Sequence, residues 1–197
     1  SETKTCQNKC VEVEYLKSTG TQYIDTGVLS KNTETKIDFS FVSLRNEQSI
    51  MGMWEIERLI YQVALYQNRW YYGSNSANEI NVAWIEGTPN TDRHTITLDG
   101  QGGLYQDGTL ISTGPVSSVD SHLPIYIFGR NTSSAGGLQL RTASLIKCYR
   151  VQMKTNGTLV RDFTPVLSPT EEPCMFDKVS KKLFCNAGSG TFDYGSK

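Results

Sequence analysis

In the stretch "MWEIER", Glu55 and Glu57 bracket Ile56. On a strand, residues two apart share a face with their Cα atoms about 6 to 7 Å apart. Two carboxylates flanking a sugar can act as nucleophile and general acid, so this spacing is the sharpest enzymatic candidate in the chain. The bland alternative is a charged, solvated strand end or loop, and that is the reading adopted here. Other catalytic constellations fail on composition. Only His94 and His122 could serve as a general base, and neither sits in a recognisable nucleophile motif. Neither stands at ligand spacing from a cysteine pair, which disfavours zinc.

Aromatic residues offer a different chemistry. Trp54, Trp70, Tyr71, Tyr72 and Trp84 fall within thirty-one consecutive positions, 54–84. The C–H groups of a sugar face stack on electron-rich rings, while the indole N–H and phenol hydroxyl remain as polar handles. In "RWYY", Trp70 and Tyr72 share one face and Tyr71 takes the other, so at least one side is groove, rim or core. Trp84 is in register with Ile80 and Val82 and is expected to be buried. We take Trp54, Trp70 and Tyr72 as candidate ligand contacts. Arg130 and Asn131, closing "IYIFGRN", are candidate hydrogen-bonding residues at a rim.

The elements that must position these side chains are strands. "TKIDFSFV" sets Ile37, Phe39 and Phe41 against Lys36, Asp38 and Ser40, the alternation of a half-buried antiparallel strand. "CVEVEY", "YQVALY", "RWYY", "INVAWI", "HTITL", "PIYIFG" and "LIKCYRVQM" are short, β-branched or aromatic, and separated by turn residues. Asp107-Gly108 and Asn156-Gly157 tolerate the positive φ angles of two-residue type I′ hairpins. Asn68 and Ser180 mark looser hairpins. Many hairpin-linked strands without intervening helices predict an all-β fold, one sheet stacked on another, because a single layer leaves an apolar face in water. "STGTQYIDTG" has the glycines of a phosphate loop but no helix signal behind it, so Gly20 and Gly27 bracket a strand.

The 197 residues suit one domain over 11–197 behind a flexible leader, 1–10. Nineteen basic against twenty acidic residues give a net charge of −1, which carries no footprint for nucleic acid. No apolar run reaches the ~18 residues of a membrane helix, so no membrane insertion is expected. The opening "SETKTCQNKC" lacks the regions of a secretory signal, and we expect a mature or trimmed form, or export by another route. Of five cysteines at least one is unpaired within the chain. Cys174 and Cys185 flank a predicted hairpin and come within disulfide reach there. Cys6 and Cys10 suit either a local bridge or the join to a further segment.

Several motifs carry a family resemblance: "EYLKSTGTQYIDTGV", "RWYYG", "DRHTITLDGQGGLYQDGTLIS", "IYIFGRN", and the closing "GTLVRDFTPV…PCMFDKVSKKLFCNAGSGTF". In this order they resemble the laminin-G-like, concanavalin A-like lectin/glucanase domains of gut bacterial surface proteins and of phage tail or virion proteins, over about residues 12–193. The resemblance implies a jelly-roll sandwich of two antiparallel sheets, one curved, with a groove or loop rim. It also implies recognition or adhesion outside the cell, on a bacterial surface or a virion, with a glycan or a surface protein as partner. Some glucanases of this fold use alternating acids on a strand, but their fuller motif is missing here, where Arg58 and Leu59 follow Glu57. Such domains sometimes bind Ca²⁺ through rim carboxylates. Asp25, Asp99, Asp107 and Asp120 lie near predicted turns, although turn aspartates are common for local reasons. No cofactor is expected, with Ca²⁺ held open. The leading expectation is a non-enzymatic glycan-recognition module. The alternatives are a structural virion or tail appendage and, behind it, a glycoside hydrolase using Glu55 and Glu57.

Overall fold

The computed structural model describes residues 6, 9–77, 80–83 and 89–197. Trp84 lies outside the described residues. Two sheets form a jelly-roll-like sandwich, and no α-helix occurs among the described residues. The larger sheet runs, in spatial order, through Thr109–Thr113, Gly103–Gln106, His94–Leu98, Thr33–Phe41, Ile146–Thr155, Thr158–Leu167, Pro173–Asp177 and Lys182–Cys185. The smaller sheet runs through Gly137–Leu138, Asn131–Thr132, Gln48–Glu55, Leu59–Tyr66, Arg69–Ser76 and Asn81–Ala83. Among the described residues the strands pair antiparallel except where Asn131–Thr132 lies parallel to Met53–Trp54, and an isolated parallel bridge joins Ser49 and Ala143.

Period two does the sorting. Ile37, Phe39 and Phe41 of the larger sheet face Tyr61, Val63, Leu65, Trp70 and Tyr72 of the smaller in one buried core. Trp70 is the hub: its ring stacks on Phe41 at 5.8 Å and meets Phe39 edge-on at 6.3 Å. Rings offset or crossed in this way combine large area burial with favourable quadrupole geometry. The hairpin turns behave as their dipeptides require, with φ of 49° and 82° at Asp107-Gly108 and 50° and 76° at Asn156-Gly157. Gln67 and Asn68 also both take positive φ, giving a tight two-residue turn where a looser one was expected. The strand "TQYIDT" is ordered as Ile24–Asp25, which pairs with Tyr126–Ile127.

Cysteine pairing resolves as Cys174–Cys185 across the expected hairpin and Cys6–Cys10 locally, leaving Cys148 as a buried thiol. Cys6 packs with Val166 and Cys174, so this part of the leader is docked on the sheet. No helix among the described residues is long and apolar enough to cross a membrane.

Candidate functional site

The core fixes which side of "RWYY" is available. Because Trp70 and Tyr72 point inward, Tyr71 must point outward, where its ring meets Tyr66 edge-on at 4.8 Å. Trp54 pairs across the sheet with Ile60 and is half-buried on the same outward face. A groove of about 280 Å³ opens there, with Trp54, Tyr66 and Tyr71 along its walls and Gln62, Arg130 and Arg141 supplying polar groups. Glu47 closes one side.

Arg130 reaches this groove through a chain reversal. Tyr126–Ile127 runs antiparallel to Met51–Gly52, then the backbone turns back and Asn131–Thr132 runs parallel to Met53–Trp54 on the same edge. Phe128 makes the reversal at φ 72°, an unusual angle for a bulky residue. Full burial and a ring contact with Phe192 at 4.6 Å hold it there. The register then places Thr132 beside Trp54 and Asn131 beside inward-facing Met53. Arg130, one residue before Asn131, therefore comes to lie with its guanidinium carbon 4.6 Å from the Trp54 ring centroid.

The guanidinium is held by neutral acceptors. It donates through Nε to Thr132 Oγ1 at 3.0 Å, through Nη1 to Gln62 Oε1 at 2.9 Å, and through Nη2 to Gln139 Oε1. Burial, reinforced by the nearby Arg141 charge, pulls its pKa down to about 10, so it stays protonated at neutral pH. Arg141, largely exposed, pairs with Glu47 at 3.2 Å. Gly52 clears room for this arrangement at φ 144°, since a Cβ there would come within 2.5 Å of Gln62 Cβ. The Trp54 Nε1–H is buried without an acceptor.

Three of the five expected ligand contacts move. Trp70 is core, its Nε1–H donating to Gln106 Oε1 at 3.1 Å, and Tyr72 is core, its hydroxyl donating to Ser112 Oγ at 2.8 Å. Asn131 is buried and donates to the Pro124 carbonyl at 2.9 Å, because the parallel register turns it inward. Trp54 and Arg130 do line the groove. Tyr66, Gln62, Glu47 and Arg141 were not anticipated. Tyr66 and Gln62 share the outward parity of "YQVALY", a signal available once the core face is known. Glu47, in a loop, and Arg141, in the short 3-10 helix Leu140–Thr142, are brought in by tertiary structure alone.

The carboxylate pair does not form. Glu55 ends its strand, but Glu57 sits in the following turn at φ 60°. The Glu55 carboxylate accepts from the His122 amide and meets His122 Nδ1, each at 3.0 Å, with Arg58 at 3.5 Å. His94 bridges Asp107 and Asn90 at 2.7 and 2.8 Å, a structural tie across strand ends.

The four candidate calcium aspartates are engaged separately. Asp25 caps the Gly27 amide, and Asp99 accepts from Gln101, Gly103 and Ser74. Asp107 accepts from Thr95, and Asp120 pairs with Lys31. Among the described residues, the one cluster of ligand-type side chains is Glu172, Cys174 and Cys185, and its cysteines are joined in a disulfide.

No known family matches the sequence, and no curated protein matches it either. Among solved structures, the chain is similar to a candidate carbohydrate-binding protein from Bacteroides ovatus, with a TM-score of 0.61 and 13% identity. The match covers 94% of this chain and 60% of that one, so this chain spans less than two thirds of its neighbour's length. At that identity the likeness shows the fold alone, an all-β sandwich.

Proposed function

We propose that this chain is a non-enzymatic recognition module that binds glycans in the groove beside Trp54, Tyr66 and Tyr71. The observation that carries the reading is the outward-facing aromatic wall joined to polar groups, Gln62 and Arg130, that are already locked in place. Rings give a sugar its apolar contact, and fixed donors give it orientation. The fold neighbour is itself named for carbohydrate binding, which adds support. Two disulfides suit an oxidising compartment. Together with the resemblance to surface and phage tail proteins, they favour a place outside the cell, on a bacterial surface or a virion, in adhesion.

A broad glycan array probed with the wild-type chain and with Trp54→Ala tests this. Signal on a subset of glycans, lost in the variant, is expected. A clean negative across the array would leave a protein-contacting appendage as the better account, and trimers seen by light scattering would then favour it.

A further inference from the structure

We infer that the groove takes a glycan bearing an anionic substituent, a carboxylate or a sulfate, which docks at the Arg130 and Arg141 guanidiniums while a sugar ring meets Trp54. The inference rests on the glycan-binding reading above and adds the ligand's charge to it.

A neutral sugar needs hydrogen bonds and a ring to stack on, and the groove would supply both without arginines. Yet Arg130 is only 6% exposed, and its acceptors, Thr132, Gln62 and Gln139, are all uncharged. Three of a guanidinium's five N–H groups are used in this way. Among the described residues no carboxylate lies within ion-pair distance of it. A buried charge with no carboxylate in direct contact is costly, and the scaffold nevertheless maintains one at a groove wall, where Glu47 acts on it only from a distance. Arg141 adds a second guanidinium on the same groove, close enough to lower the affinity of Arg130 for its own proton. Glu47 offsets one charge, so the charged groups lining the groove, two arginines and one glutamate, sum to +1. Guanidiniums present forked donors that match carboxylate and sulfate oxygens. The chain as a whole is near neutrality at −1, so this local positive charge is set by placement and not by bulk composition.

Affinity electrophoresis of the full chain tests the inference with four polymers: polygalacturonate, its fully methyl-esterified form, dextran sulfate and dextran. Each anionic polymer is thereby paired with a neutral counterpart. Retardation by an anionic polymer and not by its counterpart is expected. Polygalacturonate alone would assign a carboxylate, and dextran sulfate alone a sulfate. Arg141→Gln, at an exposed side chain, is expected to weaken retardation by about tenfold, the scale of one charge-assisted hydrogen bond. Lys178→Gln, an exposed lysine remote in sequence from the groove residues, is expected to leave it unchanged and so separates docking from ion exchange. Arg130→Gln is read together with its Tm, and Arg130→Lys keeps the charge while removing the fork. Equal retardation by free-acid and esterified polymers, or an effect of Lys178→Gln equal to that of Arg141→Gln, would overturn the inference while leaving the glycan-binding reading intact. Retardation by none of the four also overturns it, and the broader reading then stands or falls on the array.

Discussion

The Arg130 guanidinium lies 4.6 Å from the centroid of the Trp54 ring, and this one contact joins two parts of the chain seventy-six positions apart. Strand Gln48–Glu55 supplies the ring, and the reversal at Phe128 supplies the cation. A cation over an indole face is worth about 0.5 to 2 kcal/mol depending on desolvation. Here it also fixes the indole plane as a wall for a ligand.

Trp54 and Trp70 are expected to separate binding from stability. Trp54→Ala should reduce glycan affinity about tenfold or more, the scale of a truncated aromatic hot spot, with a Tm loss of only a few degrees from the lost contact with Arg130. Trp70→Ala removes the ring that Phe39 and Phe41 pack on and leaves Gln106 without its donor. It should cost about 3 to 5 kcal/mol and lower Tm by roughly 10 °C, with the remaining folded protein binding as before. Calorimetric titration and thermal melts on both variants check this.

The difference between these two tryptophans shows how far the sequence could be read. Alternation in "TKIDFSFV" was unambiguous because polar residues mark the wet face, and the sandwich followed from many such segments. In "RWYY" both faces carry large aromatics, so period two gives the partition but not its sense. Only the opposing sheet, with Phe39 and Phe41 waiting for Trp70, decides it. At "FGRN" local reading gave Arg130 and Asn131 the same rim role, but the reversal at Phe128 and the parallel pairing separate them: Arg130 lines the groove and Asn131 turns inward to the Pro124 carbonyl. Arg141 and Glu47 had no local signal, since a short 3-10 helix and a loop bring them to the groove.

Glu55 is expected to be a structural anchor for His122. Incubation with polysaccharides should release no reducing ends, and Glu55→Gln should leave glycan affinity within about twofold, because its partner residues lie outside the groove lining. Reducing-sugar release abolished by that substitution would restore the hydrolase reading.

Acid should destabilise the fold through Asp177. Burial alone would push its pKa up, but the Ser180 hydroxyl at 2.6 Å and the amides of Asp162, Val179 and Ser180 outweigh burial and hold the carboxyl below the ordinary 3.8. A depressed folded-state pKa contributes stability that is fully present above the unfolded value and is lost as pH falls through the folded one. Denaturant midpoints should therefore drop as pH falls below about 4, the unfolded-state range. Asp177→Asn should flatten that limb while lowering stability at neutral pH.

The Cys174–Cys185 bridge closes a short loop, with a sequence separation of 11. Chain-entropy arguments value such a closure at about 3 kcal/mol. Replacing both cysteines by serine should lower urea-unfolding stability by about that amount while retaining glycan binding, since the bridge lies in the larger sheet and the groove on the smaller one.

The chain has three tryptophans, so a ¹H–¹⁵N spectrum shows three indole N–H peaks, and following them during titration with the array's strongest glycan tests the groove assignment most directly. The Trp54 peak should shift with saturation while the Trp70 peak stays in place. A fixed Trp54 peak in the presence of saturating glycan would contradict the assignment.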